Sequence, residues 1–154
     1  MTKKIIFTTL YIIFALVSII FSLQNGEASS NESSFVTNIA IRVLNAITFN
    51  KIDFEYDLVH LLIRKVIGHF SLFFLIGLFG YITYNLYFNS IKKAWIVNLI
   101  VAIVIVVTSE ALQLLSSGRS CEFKDMIIDY SGCLLATLIC VLISFRNKKI
   151  KCDI

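Results

Sequence analysis

The sequence predicts an all-α polytopic membrane protein with four transmembrane helices, on the strength of its composition, its long apolar stretches and its lack of proline. The 154 residues are 58% hydrophobic and 16% charged, whereas a typical soluble domain is about 45–50% apolar and about 25% charged. Four stretches are apolar over the roughly 20 residues that a helix needs to cross a hydrocarbon core. No proline interrupts them. A soluble enzyme, a disordered chain and a collagen-like repeat are disfavoured, because so small a globule cannot bury this much apolar surface.

The four predicted spans belong to a single domain, residues 1–154, and cover residues 5–25, 66–89, 94–115 and 126–145. Helices are expected because lipid offers the backbone no hydrogen-bond partners. A β-barrel strand would alternate apolar and polar residues. The continuous apolar run Ile100–Val107 argues against a barrel.

The first apolar stretch has two interpretations, a retained helix and a cleaved signal peptide. Lys3 and Lys4 precede it, as basic residues precede a signal sequence. However, its apolar run exceeds the usual length of about 7–15 residues, and no clear small-x-small cleavage site follows it. We therefore expect a retained helix.

The distribution of basic residues predicts the orientation in the membrane. One set of loops and ends contains eight basic residues and one acid: Lys3, Lys4, Lys92, Lys93, Arg146, Lys148, Lys149, Lys151 and Asp153. The other set mixes six basic residues with seven acids: Arg42, Lys51, Arg64, Lys65, Arg119, Lys124, Glu27, Glu32, Asp53, Glu55, Asp57, Glu122 and Asp125. The positive-inside rule places the first set, with both termini, in the cytoplasm. The basic residues are not gathered with aromatics on one face, so no nucleic-acid partner is expected.

The outer segment, residues 26–65, is expected to contain a loop and an interfacial helix. Gln24–Ser34 is rich in Ser, Asn, Glu and Gly, which predicts a flexible loop. Apolar residues then follow at helical spacing: Val36, Ile39, Ala40, Val43 and Ile47. This pattern predicts a helix lying on the outer membrane surface. Leu58–Ile63 is expected to extend the second span outward. No disulfide is expected among the four cysteines of the chain.

Polar side chains in or beside the predicted spans form the candidate site. A charge at the bilayer centre costs about 2.5–3.5 kcal/mol on insertion scales, so such residues usually have a function. The candidate ligand-binding residues are Arg64, Lys65, His69, Glu110, Gln113, Arg119, Asp125 and Asp129. At a rise of about 1.5 Å per residue, Glu110 and Asp129 each lie about 24 Å from the cytoplasmic end of their helices. His69 lies near the outer end of the second span, so three separate segments bring ionisable groups to one level in the outer leaflet.

Helical spacing also predicts which faces point inward. Glu110 and Gln113 share a face. A stripe of small and acidic residues on the fourth span is expected to face the bundle: Asp125, Asp129, Gly132, Ala136 and Cys140. A similar stripe on the second span comprises His69, Phe73, Gly77, Gly80 and Tyr84. Small residues let membrane helices approach closely.

Several structural roles compete with a binding site. We expect Glu110 and Asp129 to pair with a basic partner, namely Arg64, Arg119 or His69. Asp125 has the alternative role of capping the fourth helix, and Arg64, Lys65 and Arg119 that of anchoring at headgroups. A purely structural ion network and a lone packing role for His69 are further alternatives.

Three motifs, in this order, resemble those of the VanZ-like family. Arg64-Lys65-Val66-Ile67-Gly68-His69-Phe70 resembles its Arg-Lys-x-x-x-His-Phe signature, and Ser109-Glu110-Ala111-Leu112-Gln113 resembles its Ser-Glu-x-x-Gln motif. Arg119 followed by Asp125–Gly132 resembles its Arg-x…Asp-x-x-x-Asn-x-x-Gly block. The resemblance covers about residues 60–137. Asp129 stands where the family usually has Asn, and Ala136 where a second Gly is common.

The resemblance implies a small multi-pass protein of the bacterial cytoplasmic membrane, from a family named for a link to teicoplanin resistance. Some relatives affect susceptibility to lipid-tailed glycopeptides. The first hypothesis is therefore a non-enzymatic envelope protein whose partner is a membrane lipid, a lipid-linked envelope precursor or a lipoglycopeptide. Arginine matches phosphate bidentately, so Arg64 and Arg119 would hold the headgroup.

Two other functions are alternatives. A membrane-embedded enzyme acting on an envelope lipid phosphate or acyl group would use His69 as general acid or base, or the same groups would bind a divalent metal. No G-x-S-x-G nucleophile motif is present. A transporter ranks last because no acid lies in the inner half of a span. Outside the enzyme hypothesis the sequence predicts no cofactor and no metal site, since paired CxxC zinc knuckles are absent.

Overall fold

The computed structural model describes residues 2–49 and 54–152, and nearly all of them are helical. No strand occurs within these two ranges. The helices are α1 (Thr2–Leu23), α2 (Gly26–Ile47), α3 (Tyr56–Leu62), a π-helical segment (Ile63–Phe70), α4 (Ser71–Phe88), α5 (Ile91–Gln113) and α6 (Phe123–Cys152). Lys51, Asp53 and Asp153, which contribute to the predicted orientation, lie outside the described residues.

Four helices are long and apolar enough to cross a membrane, which confirms the predicted all-α fold with four spans. They are Thr2–Leu23, Tyr56–Phe88, Ile91–Gln113 and Phe123–Asn147. The second begins ten residues before the predicted start at residue 66 because α3 and the π-helical segment continue directly into α4. The expected extension of the second span over Leu58–Ile63 is therefore confirmed, and its outward direction remains a prediction.

The outer surface of the bundle is apolar, as a lipid-facing surface should be. Ile20 is 62%, Ile100 58% and Leu142 68% exposed, although all three lie within spans. In water, a contiguous surface of this kind would promote aggregation. In a bilayer, a surface of this kind is compatible with contact with acyl chains.

Two glycines allow α4 and α6 to pack closely, and these helices form the centre of the bundle. A methyl group at Gly77 would lie 2.6 Å from the Cα and carbonyl oxygen of Cys133. A methyl group at Gly132 would lie 2.5 Å from the carbonyl oxygen of Phe70. Both glycines are buried, as are Ala136 and Cys140. The predicted inward stripes on the second and fourth spans are thus confirmed at their small residues.

Side-chain hydrogen bonds connect the spans within the apolar core. Asn98 Nδ2 on α5 donates to the Gly77 carbonyl oxygen at 2.9 Å and to Thr137 Oγ1 at 2.8 Å. Because each polar group in lipid needs a partner, these bonds favour one arrangement of α4, α5 and α6.

The prediction of a flexible loop over Gln24–Ser34 is wrong, because α2 begins at Gly26. The Asn25 side chain caps the helix by accepting a hydrogen bond from the Ala28 N–H at 2.7 Å. An Asn cap and an acid in the first turn, here Glu27, both stabilise a helix N-terminus. Ser33 donates its hydroxyl to the carbonyl four residues earlier, so this polar residue is compatible with the helix.

The helix predicted from the apolar spacing is present in α2, and its apolar face is exposed. Val36, Ile39, Val43 and Ile47 are each more than 40% exposed. The helix packs mainly against α3 and the π-helical segment. Its position on the membrane surface remains a prediction.

Candidate functional site

Three spans bring ionisable side chains together at one end of the bundle. His69 lies on the π-helical segment, Glu110 near the end of α5 and Asp129 in the second turn of α6. One ligand atom from each residue lies within 4.8 Å of the others. Glu110 is 0% and Asp129 1% exposed. The expectation that distant segments deliver titratable groups to one level is therefore confirmed.

The π-helical segment orients the basic residues of the first motif. The hydrogen bond at the end of this segment shows the wider helical turn: the Ser71 N–H donates to the Val66 carbonyl oxygen, five residues earlier. Such i→i+5 bonds put more residues in each turn than the 3.6 of an α-helix. Residues four and five positions apart therefore share a side, and Arg64, Lys65 and His69 all reach the site at this end. π-Helical turns occur frequently at functional sites.

His69 and Asp129 form a buried pair across two spans. His69 Nδ1 lies 3.1 Å from Asp129 Oδ1. The other carboxylate oxygen, Asp129 Oδ2, is buried and has no hydrogen-bond partner among the described residues. The predicted pairing of Asp129 with a basic partner is confirmed, with His69 as that partner.

Glu110 is held differently from the expectation. Gln113 Nε2 donates to Glu110 Oε2 at 2.6 Å, and the Glu122 backbone N–H donates to Glu110 Oε1 at 2.9 Å. Within the described chain, no ion pair joins Glu110 to Arg64, Arg119 or His69, so the predicted pairing is wrong for this residue. The physical reason is that the loop before α6 lies against Glu110 and supplies the Glu122 N–H as a donor. The spacing of residues along helices does not predict a donor from a loop.

Lys65 and Asp125 form an ion pair between the π-helical segment and α6. The Asp125 side chain is 5% and the Lys65 side chain 20% exposed, and Lys65 Nζ also lies 3.4 Å from Glu122 Oε2. Lys65 is thus bound to acids of the protein, which disfavours a role as a free headgroup anchor. The partner of the Asp125 side chain is therefore Lys65, and within the described residues this carboxylate accepts no hydrogen bond from the backbone at the start of α6.

The two arginines have donors that the protein leaves unused. Arg119 Nη1 donates to the Phe21 carbonyl oxygen at 2.6 Å, near the end of α1 where helical carbonyls lack partners. The Nε atoms of Arg64 and Arg119 are buried without hydrogen-bond partners in the described part of the chain. Burial, together with the nearby Arg64 guanidinium, lowers the pKa of Arg119 below its usual value. A negatively charged group between them would relieve both effects.

A cavity of about 200 Å³ opens beside these groups. Its polar lining includes five of the eight predicted site residues: Arg64, His69, Gln113, Arg119 and Asp129. Its apolar lining includes Phe21, Ile63, Ile67 and Leu72. The cavity therefore combines a basic and acidic polar region with walls that match lipid.

A family model described as VanZ/LLP1 matches residues 7–144 of the chain. The chain belongs to this family. The match includes the whole of the region that the motifs cover and most of α1. A search of curated proteins and a search of solved structures each found no match.

In this VanZ-like protein, the three motifs meet at the cavity end of the bundle. The first motif forms the π-helical segment, the second ends α5, and the third begins α6. Residue 129 departs from the family pattern, with Asp in place of the usual Asn. The Asp129 carboxylate pairs with His69, and its second oxygen has no partner among the described residues. An Asn at this position would offer an uncharged amide in the same place.

Sequence reasoning missed the part of the VanZ-like site that comes from α1 and α2. Ser18 and Ser22 line the cavity from α1, and Ser29, Glu32 and Ser33 line it from α2. Ser18 and Ser22 lie four residues apart in the apolar second half of α1, and this spacing is a usable signal. The residues of α2 carry no such signal, because a segment rich in Ser, Asn, Glu and Gly is typical of a loop.

Proposed function

We propose that this VanZ-like membrane protein binds the phosphate headgroup of a membrane lipid or lipid-linked envelope precursor, and thereby reduces susceptibility to lipid-tailed glycopeptides of the teicoplanin type. The observation that carries the proposal is the pair of arginines in the cavity, each with a buried Nε–H that no described protein group accepts. Guanidinium groups present donors in a fork that matches phosphate oxygens. A phosphate is therefore the ligand class that best completes this site.

The size and lining of the cavity support a headgroup as the ligand. Its volume of about 200 Å³ is below the roughly 300–1,000 Å³ of pockets that enclose drug-sized ligands. A glycopeptide would not fit inside it. A headgroup fits, with its acyl chains continuing along Phe21, Ile67 and Leu72 toward the lipid.

Arg64→Gln is expected to lower retention of a phosphate-bearing lipid by about tenfold, since a charge-assisted bidentate contact contributes roughly 1.5–3 kcal/mol. The measurement is native mass spectrometry of the full chain in mild detergent with added phosphatidylglycerol, and with phosphatidylcholine as a zwitterionic comparison. Arg64 is suited to this test because no hydrogen bond or ion pair within residues 2–49 and 54–152 holds its side chain.

The matched control is Arg42→Gln, which removes an exposed arginine of α2 that does not line the cavity. The control should retain lipid as the parent protein does. Equal lipid retention by Arg64→Gln and Arg42→Gln would contradict headgroup binding at this site. Teicoplanin susceptibility of cells producing the same two variants tests the physiological part of the proposal, with protection lost only for Arg64→Gln.

The proposed role also requires the cavity to face outward in a bacterial cytoplasmic membrane. Cys121 lies in the loop before α6 at this end and is partly exposed. In a variant that retains only this cysteine, a membrane-impermeant maleimide should label intact spheroplasts. A Lys92→Cys variant in the same background, at the opposite end of the bundle, should be labelled only after permeabilisation. The reverse pattern would place the cavity in the cytoplasmic leaflet and refute the proposed orientation.

An enzyme acting on an envelope lipid is a second candidate, favoured by the His69–Asp129 pair. A carboxylate that accepts from Nδ1–H orients an imidazole and leaves its Nε2 free for proton transfer. The cavity would then place a lipid phosphate or acyl group beside His69. Turnover of lipid substrates by the purified protein, abolished in His69→Ala, would favour this candidate, and binding without turnover would favour the first.

A further inference from the structure

We infer that His69, Glu110 and Asp129 bind one divalent transition-metal ion, represented by Zn²⁺ or Mn²⁺. The two arginines are not among these ligands, although His69 and Asp129 line the same cavity as the arginines. The sequence predicts no metal site outside the enzyme hypothesis. Geometry, an unpartnered oxygen and the chemistry of the donor atoms support the inference.

The three donor atoms already lie near the spacing that one ion requires. They fall within 4.8 Å of one another, although they come from three different helices. Two ligands at about 2.1 Å from a tetrahedral ion lie roughly 3.4 Å apart. Modest side-chain rotations would therefore close the site, with the ion replacing the direct His69–Asp129 hydrogen bond.

Asp129 provides the clearest sign that a ligand is missing from the cluster. Its side chain is 1% exposed, and it lines the cavity. Its Oδ2 atom has no partner among the described residues, and a buried oxygen without a partner is unfavourable. Lys65 does not satisfy this oxygen, because it pairs with Asp125 and Glu122 instead. A cation between Asp129 and Glu110 would satisfy the oxygen and balance the two carboxylates.

The donor set indicates the class of metal. One imidazole nitrogen with two carboxylate oxygens suits zinc or manganese better than magnesium or calcium, which prefer oxygen donors alone. Three protein ligands beside a cavity also leave a coordination position open, as in catalytic zinc sites. Gln113 Nε2 and the Glu122 N–H hold the Glu110 carboxylate in place. Partners of this kind orient metal ligands and increase affinity.

The test uses the full chain in mild detergent, stripped with a chelator and equilibrated by dialysis against Zn²⁺ or, separately, Mn²⁺. We expect about one bound ion per chain by elemental analysis. Asp129→Asn and Glu110→Gln should each weaken binding by about tenfold or more. Substitution with Co²⁺ should give a visible absorption spectrum that His69→Ala alters, which reports the imidazole ligand directly.

The matched control is Asp57→Asn, which makes the same change at an exposed acid of α3 that belongs neither to the three ligands nor to the cavity lining. It should keep the affinity of the parent protein. The assay contains no added lipid, so its outcome is distinguishable from that of the headgroup test. Circular dichroism and size exclusion establish that each variant is folded. Binding below about one tenth of an ion per chain, or equal affinity in Asp129→Asn and Asp57→Asn, would overturn the assignment.

Discussion

Replacing Gly77 with alanine is expected to lower the free energy of unfolding by about 1–3 kcal/mol, the usual cost of overpacking a tight core. The added methyl would lie 2.6 Å from the Cα and carbonyl oxygen of Cys133. Because both atoms belong to the backbone, no side-chain rotation can make room. The α4 and α6 helices would have to separate, which would also strain the hydrogen bond from Asn98 to the Gly77 carbonyl. Reversible unfolding in mixed detergent and SDS measures the loss.

Gly68→Ala is the control for this prediction. Gly68 is exposed on the π-helical segment, and a methyl there would approach no atom closer than the Ile63 carbonyl oxygen at 4.0 Å. Its stability should equal or exceed that of the parent protein, because alanine restricts the unfolded chain more than glycine does. Unfolding of Gly77→Ala at the same SDS fraction as Gly68→Ala would contradict the close packing of α4 against α6 at Gly77.

Lys65→Met should destabilise the protein by about 3 kcal/mol, the lower end of the range for breaking a buried ion pair. The lower end applies because the Lys65 side chain is 20% exposed. The substitution leaves Asp125, whose side chain is 5% exposed, without a counter-charge. The same unfolding assay measures the effect.

A double variant distinguishes the lost pair from simple loss of packing. Lys65→Met combined with Asp125→Leu removes both charges, and well-packed apolar replacements of a buried pair are often neutral or stabilising. Most of the lost stability should therefore return. Glu122→Gln removes the more exposed of the two acids near Lys65 and should cost less than about 1 kcal/mol. No recovery in the double variant would mean that Asp125 does not depend on Lys65.

The sequence predicts the bundle well because lipid imposes simple rules. Apolar stretches of helical length mark the spans, and a charge within such a stretch marks a polar site. The sequence identifies Glu110 and Asp129 in this way, and each is almost fully buried. Helical periodicity also predicts that the stripe of small residues on the fourth span faces the bundle, and Gly132 is buried there against the backbone of Phe70.

The remaining features depend on tertiary structure. The amino-acid composition of residues 63–70 does not predict a π-helix, yet this winding sets the directions of the Arg64 and His69 side chains. The partner of Glu110 is a backbone N–H of Glu122 in a loop, and any residue type supplies such a group. The polar start of α2 has the composition of a loop and becomes a helix through its Asn25 cap.

The sparse packing of α2 has a consequence for access to the cavity. The helix forms one wall through Ser29, Glu32 and Ser33, but it packs mainly against α3 and the π-helical segment, and not against α1, α4, α5 or α6. For an element with few buried contacts, the free energy of local opening is a small fraction of the global free energy of unfolding. Local opening of α2 alone would therefore expose the arginines while the other helices stay folded. The rate at which a ligand enters would be set by the fluctuations of α2, and the affinity by residues of the spans that do not move.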